Sequence, residues 1–539
     1  MVFRMTALSP SATLDRLAGG LVVSCQAAPG EPLARPDILA AMAQAAVAGG
    51  AVGIRAEGVE NIRAIRAAVD VPVIALAKVD YPDSEVYITP TRREALALAA
   101  TGADIIALDA TRRPRPDGET LAELVSALRA DSGALLMADV ATSDDARAAA
   151  GLGFDLIGTT LSGYTAETAG RGGHGPDWNL LRTLVKWFAG AIPIVAEGRF
   201  STPADAARAV TMGAHCVVTG TVITRPTVVT RGYADAVRRA GERKSAIAAG
   251  IDLGGTRTAV GLVSGRGELL ARRETGSPWP AGTETVVDVA CAMLADLEQG
   301  TGLSAAVLGV AAGGRFDTDG RVRTAIPLAA DYVGFDLAEA FRARLERPVC
   351  VENDGAAAAW GEYRAGPDVP GTLAMLTLGT GIGGGIVQGG RLYVGRGRGP
   401  SLGHFPVVPD GRPCRCGRRG CLEAEASRAV LQAELAAVRP DLPDPLEPSD
   451  IAEAILDAAP HVAAVWNHYL DRLADGLAIV DRMWAPDVLV IGGSLARLDE
   501  RLLDPLRERL DSDLPLRCAV LGNDAGVVGA ALLALERGM

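Results

Sequence analysis

The chain has 539 residues, and its 53 lysines and arginines face 65 aspartates and glutamates, a formal net charge of −12. At roughly 150 residues per domain this is length for several cores. Its 49% hydrophobic and 22% charged residues exclude large-scale disorder. The acidic balance disfavours nucleic acid as a partner, and the sequence contains no run of about 18 apolar residues to span a membrane, so a cytoplasmic protein acting on small molecules is expected.

At the N-terminus, Arg4 followed by LAGGLVVSC (from Leu17) has the outline of a lipoprotein signal. Asp15 and Arg16 break its apolar core and Pro10 interrupts it further, so secretion is not expected. Eight apolar runs then follow, most of them separated by helix-length Ala-rich sequence. They are LVVSCQA from Leu21, VGIRAEG from Val52, PVIALAK from Pro72, DIIALDA from Asp104, LLMADVA from Leu135, DLIGTTLSGY from Asp155, PIVAEGR from Pro193 and CVVTGT from Cys216. Continuous apolar strands alternating with helices predict a parallel sheet, and eight such units predict a (β/α)8 TIM barrel over residues 1–237. An open doubly wound sheet is the competing reading, but no G-x-G-x-x-G opens the first helix.

RRAGERKSA, from Arg238, is charged and poor in apolar residues, and reads as a helix end plus a linker over 238–246. A second domain over 247–539 begins with IAAGIDLGGTRTAVGLV, a strand, glycine turn and strand. LAMLTLGTGIGGGIV, from Leu373, repeats that pattern, which predicts two lobes facing a phosphate-bearing ligand.

In a barrel of this kind the site lies at the C-terminal strand ends. Those ends offer Gln26, Arg55 with Glu57, Lys78 with Asp80, Asp109, Asp139, Tyr164, Glu197 with Arg199, and Gly220. Each of these polar residues also fits a merely solvated rim. Lys78 stands out, because lysine occurs only at Lys78, Lys186 and Lys244 and this one closes an apolar run. A lysine in such surroundings can serve as acid or base, with Glu197 converging from a distant strand. Gly198, Gly220 and Thr221 suit a phosphate seat after the last two strands, with Arg225 as a clamp. A phosphorylated small substrate and proton transfer follow.

Seven ordered blocks, SCQA, IRAEGVENI, AKVDY, YITPT, ADVAT, VAEGRF and GTVITRP, span nearly all of residues 15–230 and resemble the bacterial N-acetylmannosamine-6-phosphate 2-epimerases. The resemblance implies interconversion of N-acetylmannosamine 6-phosphate and N-acetylglucosamine 6-phosphate through removal and return of the C2 proton. It makes Lys78 the catalytic acid/base and Glu197 its orienting partner. Gln26, Arg55 and Asp139 become substrate contacts, and Arg225 binds phosphate.

In the second domain, Asp252, Gly254, Gly255 and Thr256 form a turn whose backbone can approach a polyphosphate while the carboxylate holds water around Mg²⁺. Thr380 and Gly381 sit in a second glycine turn, and Gly492 and Gly493 in a third suited to packing an adenosine. No P-loop motif is present. His404, Cys414, Cys416 and Cys421 have the spacing H-x9-C-x-C-x4-C, a closed tetrahedral set for structural Zn²⁺ in a reducing compartment. Asn353 and Asp354 precede an Ala-rich helix. Asp354 could take a hydroxyl proton during phosphoryl transfer, and a plain helix N-cap accounts for the pair equally well.

Together these blocks resemble the ROK family of actin-like (ribonuclease H-like) sugar kinases over residues 247–535. The resemblance implies ATP-dependent phosphorylation of a hexose or N-acetylhexosamine with Asp354 as base, sugar contacts from Asn353, His404 and Glu423, and a homodimer or higher homo-oligomer. Two departures touch sugar preference: Ser401 stands where a sugar-contacting glutamate is common, and Gly313-Gly314 replaces a Pro-Gly. The two halves together suggest an enzyme of sialic acid and amino sugar catabolism that phosphorylates N-acetylmannosamine and then epimerises it. The alternatives are a working epimerase fused to a sugar-sensing ROK module, or to a kinase for N-acetylglucosamine or glucose.

Overall fold

The computed structural model describes residues 10–538 except 172, 174, 318, 325–327, 396–398, 444–445, 458 and 511. Arg4 of the signal-like segment therefore lies outside the described residues. The rest of that segment is the helix Pro10–Leu17 and the first barrel strand. The chain divides into two compact units, Met1–Asp235 and Ala236–Met539.

The first unit is a closed parallel barrel of β1 (Gly20–Cys25), β2 (Gly53–Glu57), β3 (Val73–Leu76), β4 (Ile105–Asp109), β5 (Leu135–Asp139), β6 (Leu156–Gly158), β7 (Ile194–Glu197) and β8 (Cys216–Thr219), with β8 closing on β1. Inward residues of successive strands, among them Val22, Ile74, Ile105, Met137, Leu156 and Val195, fill the barrel. Outward residues such as Ile54, Ala75, Ile106 and Ala138 meet the helices in a second cluster. Each fully buried branched side chain contributes about 1.5–3 kcal/mol, and the absence of polar alternation in the eight runs reflects burial on both faces. The sixth run is the exception to its own length. Its strand ends at Gly158, and Thr159 to Gly163 turn inward over the barrel mouth instead of extending.

Residues 238–245, expected as a helix end and linker, are helical throughout. They complete a continuous helix, Pro226–Ser245, and only Ala246 separates it from the next strand. Their charged, apolar-poor composition fits a helix that buries none of its residues.

The second unit holds two five-stranded sheets of matching topology. In the first, β9 (Ile247–Leu253), β10 (Arg257–Ser264) and β11 (Leu269–Gly276) are antiparallel, while β12 (Val307–Ala312) and β15 (Val349–Asn353) add in parallel. Between them lies the small hairpin β13 (Arg315–Phe316) and β14 (Val322–Thr324). The second sheet repeats the scheme with β16 (Thr372–Leu378), β17 (Ile382–Gln388), β18 (Arg391–Leu392), β19 (Val488–Gly492) and β20 (Leu516–Cys518). Among the described residues no helix is long and apolar enough to cross a membrane.

Candidate active sites

The C-terminal mouth of the barrel carries a buried charged cluster. Arg55 projects from the middle of β2 with 1% side-chain exposure. Its Nη2 donates to Asp139 Oδ2 at 2.6 Å, and its Nε lies 3.2 Å from Glu197 Oε1. Thr160 places its hydroxyl 2.7 Å from Asp139 Oδ1 and 3.1 Å from Glu197 Oε2. Burial pushes the Glu197 carboxyl up to about 7; Arg55 opposes the rise and Asp139 adds to it. Glu197 is thus poised to hold or release a proton near neutrality.

Lys78 stands just past β3, the strand next to the one that carries Arg55, with its side chain 42% exposed. Its Nζ donates to Gln26 Oε1 at 2.7 Å and lies 3.6 Å from Glu57 Oε2, while Gln26 is held in turn by donating to Ser24 Oγ at 2.8 Å. The groups in contact with Lys78 are therefore Gln26 and Glu57, whereas Glu197 is tied to Arg55 and Thr160. Burial raises the Glu57 carboxyl above its ordinary range, and Lys78 opposes that rise.

The expected phosphate seat is built from the ends of β7 and β8. Gly198 has φ +108°, a conformation that favours glycine, and its Cα faces the carbonyls of Thr159 and Thr160. Gly220 abuts Ser24, and Thr224 donates to Ser24 O at 2.7 Å. Arg225 Nη2 is paired with Glu31 Oε1 at 2.6 Å.

Three rim residues serve the scaffold instead. Arg199 donates to the carbonyls of Gly175, Ser162 and Arg171 and lies over the Tyr164 ring, stapling the loop after β6. Tyr164 itself is 54% exposed. Asp109 is buried and spent on Thr111 and Arg113. Thr160 is the residue that sequence reasoning left out of the site, and Glu57 was named at a strand end without a role. The adjacent pair Thr159-Thr160 directly after a strand end is the signal that was available.

In the second unit a cleft of about 1340 Å³ is lined by Gly255, Asn353, Asp354, Thr380, Glu423 and Gly493 among others. Asp354 opens the helix Asp354–Ala365, and Asn353 caps it by accepting from Ala356 N–H at 3.1 Å while donating to Gly314 O at 3.1 Å. The capping role is thus real for Asn353, and Asp354 is left to face the cleft. Gly355 lets this helix approach β17, since a Cβ there would lie 2.2 Å from Gly384 N. Burial raises the Asp354 carboxyl above its ordinary range, against the Gly355 N–H that donates to it. On β9, burial pushes Asp252 up to about 7, with Asp354 adding to the rise and Arg272 opposing it. Glu423 accepts from Ile382 N–H at 3.0 Å. Arg315 donates to Ser401 Oγ across the cleft. Asp252 on β9, Gly254 and Thr256 in the turn after it, and Gly492 at the end of β19 are not on the lining. Gly254 O accepts from Trp279 Nε1 at 2.9 Å, and Thr256 O accepts from Ser277 N at 3.0 Å.

His404, Cys414, Cys416 and Cys421 bring one ligand atom each within 4.8 Å of all the others. His404 Nδ1 is 3.5 Å from Cys414 Sγ, and Cys416 Sγ is 3.6 Å from Cys421 Sγ. A tetrahedral ion with Zn–S near 2.3 Å separates its thiolates by roughly 3.8 Å, so the set fits one ion with no open position. His404 also lines the cleft, as do Cys414 and Cys416, so one residue borders both the four-ligand loop and the cleft.

The chain thus joins a barrel with proton-transfer residues at its mouth to a two-lobed cleft of the kind used for phosphoryl transfer. Residues 39–239 match the family described as "Putative N-acetylmannosamine-6-phosphate epimerase" (NanE), and residues 248–537 match the ROK family. Over 540 aligned residues the chain is 38% identical to the bifunctional enzyme NanE/NanK of Brucella melitensis, covering 97% of each chain. Among solved structures, the N-acetylmannosamine-6-phosphate 2-epimerase from Clostridium perfringens is 44% identical with a TM-score of 0.40, covering 41% of this chain and 95% of that one. A ROK family glucokinase from Streptomyces griseus, in complex with glucose and AMPPNP, is 32% identical with a TM-score of 0.49, covering 54% of this chain and 99% of that one. The chain belongs to the bifunctional NanE/NanK enzymes, an epimerase domain fused to a kinase domain of the ROK family.

Proposed function

We propose that the ROK half phosphorylates N-acetylmannosamine at O6 with ATP, and that the barrel converts the resulting 6-phosphate into N-acetylglucosamine 6-phosphate. The observation that carries this reading is the pairing of two complete sites on one chain. One is Lys78 at the barrel mouth with the Arg55–Asp139–Glu197 cluster, and the other is Asp354 in the glycine-lined cleft. The full-length match to an enzyme named NanE/NanK supports it.

In the cleft, Asp354 accepts the proton of the sugar 6-hydroxyl as that oxygen attacks the γ-phosphorus and ADP leaves. Asn353 caps the helix that Asp354 opens, while His404 and Glu423 face the sugar. Arg315, whose side chain among the described residues donates to the Ser401 hydroxyl, can donate to the N-acyl carbonyl, which favours an N-acylhexosamine over glucose. Gly255, Thr380, Gly381 and Gly493 suit the nucleotide. Asp252 would hold Mg²⁺ through water, and that ion would supply charge neutralisation at the phosphates. The four-ligand loop would hold Zn²⁺ as a structural ion.

In the barrel, the C2 proton of the open-chain sugar lies α to the aldehyde, so its removal gives a stabilised enolate and needs no redox cofactor. Lys78 exchanges that proton. β3 and β7 are four strands apart in an eight-stranded barrel, so Glu197 faces the same carbon from the other side. Inversion requires access to both sides, and this arrangement provides it. Arg225, freed from Glu31, with Gly198 and Gly220, receives the phosphate.

Phosphorus and proton NMR of the full chain with N-acetylmannosamine and Mg-ATP tests the reading. N-acetylmannosamine 6-phosphate followed by N-acetylglucosamine 6-phosphate is expected. No phosphosugar, with added N-acetylmannosamine 6-phosphate still epimerised, would replace the kinase assignment by a sensing role or another hexose.

A further inference from the structure

Two neighbouring threonines behind β6 act on Glu197 in different ways. Thr159 pins its backbone, donating to Glu197 O at 2.7 Å and accepting from Glu197 N–H at 3.0 Å. Thr160 reaches the carboxyl, with Asp139 Oδ1 at 2.7 Å and Glu197 Oε2 at 3.1 Å. A hydroxyl has one proton to donate and two lone pairs with which to accept. The shorter contact is to Asp139, whose side chain has 0% exposure and is already an acceptor from Arg55. A Thr160 hydroxyl donating to Glu197 would lower that carboxyl; once Thr160 gives its one proton to Asp139 instead, the contact with Glu197 is a hydrogen bond only when Glu197 is the donor.

The charges agree with that direction. One guanidinium, Arg55, faces two carboxyls in the same buried cluster. The cluster is neutral when it holds one proton and carries an uncompensated buried charge when it holds none. The other titratable groups acting on Glu197 are Lys78 from β3 and Cys216 from β8, with Tyr87 near Asp139 and Arg55. Among the described residues Lys78 is the further cation acting on Glu197, and it is already engaged by Gln26 and Glu57.

We propose that Thr160 is a positioning residue that keeps Glu197 protonated and its hydrogen aligned: Glu197 Oε2–H donates to Thr160 Oγ1, and Thr160 O–H donates to Asp139. Its catalytic meaning rests on the epimerase reading above, because Glu197 then presents an acid to C2. The direction of the hydrogen-bond chain can be tested without that reading.

Thr160→Val keeps the side-chain shape and removes both bonds, and Thr160→Ser keeps both. Thr160→Ala, which places no methyl group against the two carboxyls, is measured beside them in case the valine variant does not fold. The titration of Glu197 is read by 13C NMR of the full chain with glutamate labelled at Cδ, and Glu197→Gln assigns the resonance. The protonated state uses two bonds through Thr160 and the ionised state only one. Loss of the hydroxyl therefore lowers the Glu197 midpoint by about half to one pH unit, and Thr160→Ser restores it. A midpoint that stays or rises overturns the proposal, because Thr160 would then be donating to an ionised Glu197. In parallel, kcat/KM for epimerisation of N-acetylmannosamine 6-phosphate falls about tenfold in Thr160→Val, with its high-pH limb displaced to lower pH. Wild-type protein without epimerase activity, but with the midpoint moving down in the variants, would sink the substrate assignment and leave the hydrogen-bond chain standing.

Discussion

Replacing Arg55 by methionine tests the buried cluster at the barrel mouth. Methionine is close in length and apolar, so the perturbation is the loss of the guanidinium rather than a cavity. Arg55 has 1% side-chain exposure and contacts Asp139, with 0%, and Glu197, with 14%. Removing one partner of a buried ion pair costs about 3–5 kcal/mol, because the remaining charges stay desolvated. For a unit of this size each kcal/mol moves Tm by roughly 2–4 °C, so the epimerase transition falls by about 10 °C at pH 8. The loss depends on pH in a fixed sense. Burial already holds the Glu197 carboxyl above its unfolded value, with Arg55 opposing the rise, so in the variant the folded state binds a proton there more readily. Stability is then retained near pH 5 and lost as pH rises through the raised value. Scanning calorimetry of the full chain at pH 5 and pH 8 reads both effects. A fall under about 2 °C at pH 8, or equal falls at the two pH values, would show that the cluster is not the desolvated charge site described above.

Lys78→Ala abolishes epimerisation and spares phosphorylation, and Asp354→Asn does the reverse; coupled assays on the folded variants check this, and loss of both activities from either change refutes the two-site division. Cys416→Ser, or prolonged chelation, releases one zinc per chain by elemental analysis and takes the kinase activity with it, while the epimerase continues at its full rate. Gly355→Ala drives a methyl group into β17 at Gly384, costs about 1–3 kcal/mol and lowers kinase kcat at least about tenfold by displacing Asp354, with little change in the KM for N-acetylmannosamine.

The barrel was legible because each strand is apolar on both faces and each is short, so the eight runs mark eight strands without ambiguity. The end of the sixth run was misleading for a physical reason. Thr159 and Thr160 continue the β-branched composition of a strand, yet their hydroxyls are used to tie Glu197 and Asp139, and the chain turns inward after Gly158. The helix Pro226–Ser245 was harder still, because it buries no residue and so has no apolar stripe to read. At the sites, Lys78 was conspicuous through the scarcity of lysine, and the four-ligand loop through its spacing. The carboxylate beside Lys78 could not be picked out among several strand-end carboxylates, since only the closed register of β2 beside β3 sets Glu57 next to it. The same limit applied to Arg199 and Tyr164, whose positions suggested the rim and whose partners are loop carbonyls and each other.

His404 faces the thiolates through Nδ1 and also borders the cleft. With the proposed zinc as its ligand partner, this double position gives the chain a schedule. The barrel closes on residues before Asp235 and the four-ligand loop lies wholly in the other unit, so an emerging chain can hold an epimerase while its C-terminal half is still being made. The cleft, whose lining runs to Gly493, is finished only after that residue has emerged and, on the zinc reading, an ion has been captured. A cell short of zinc would then accumulate chains able to rearrange phosphosugars supplied by others and unable to make their own.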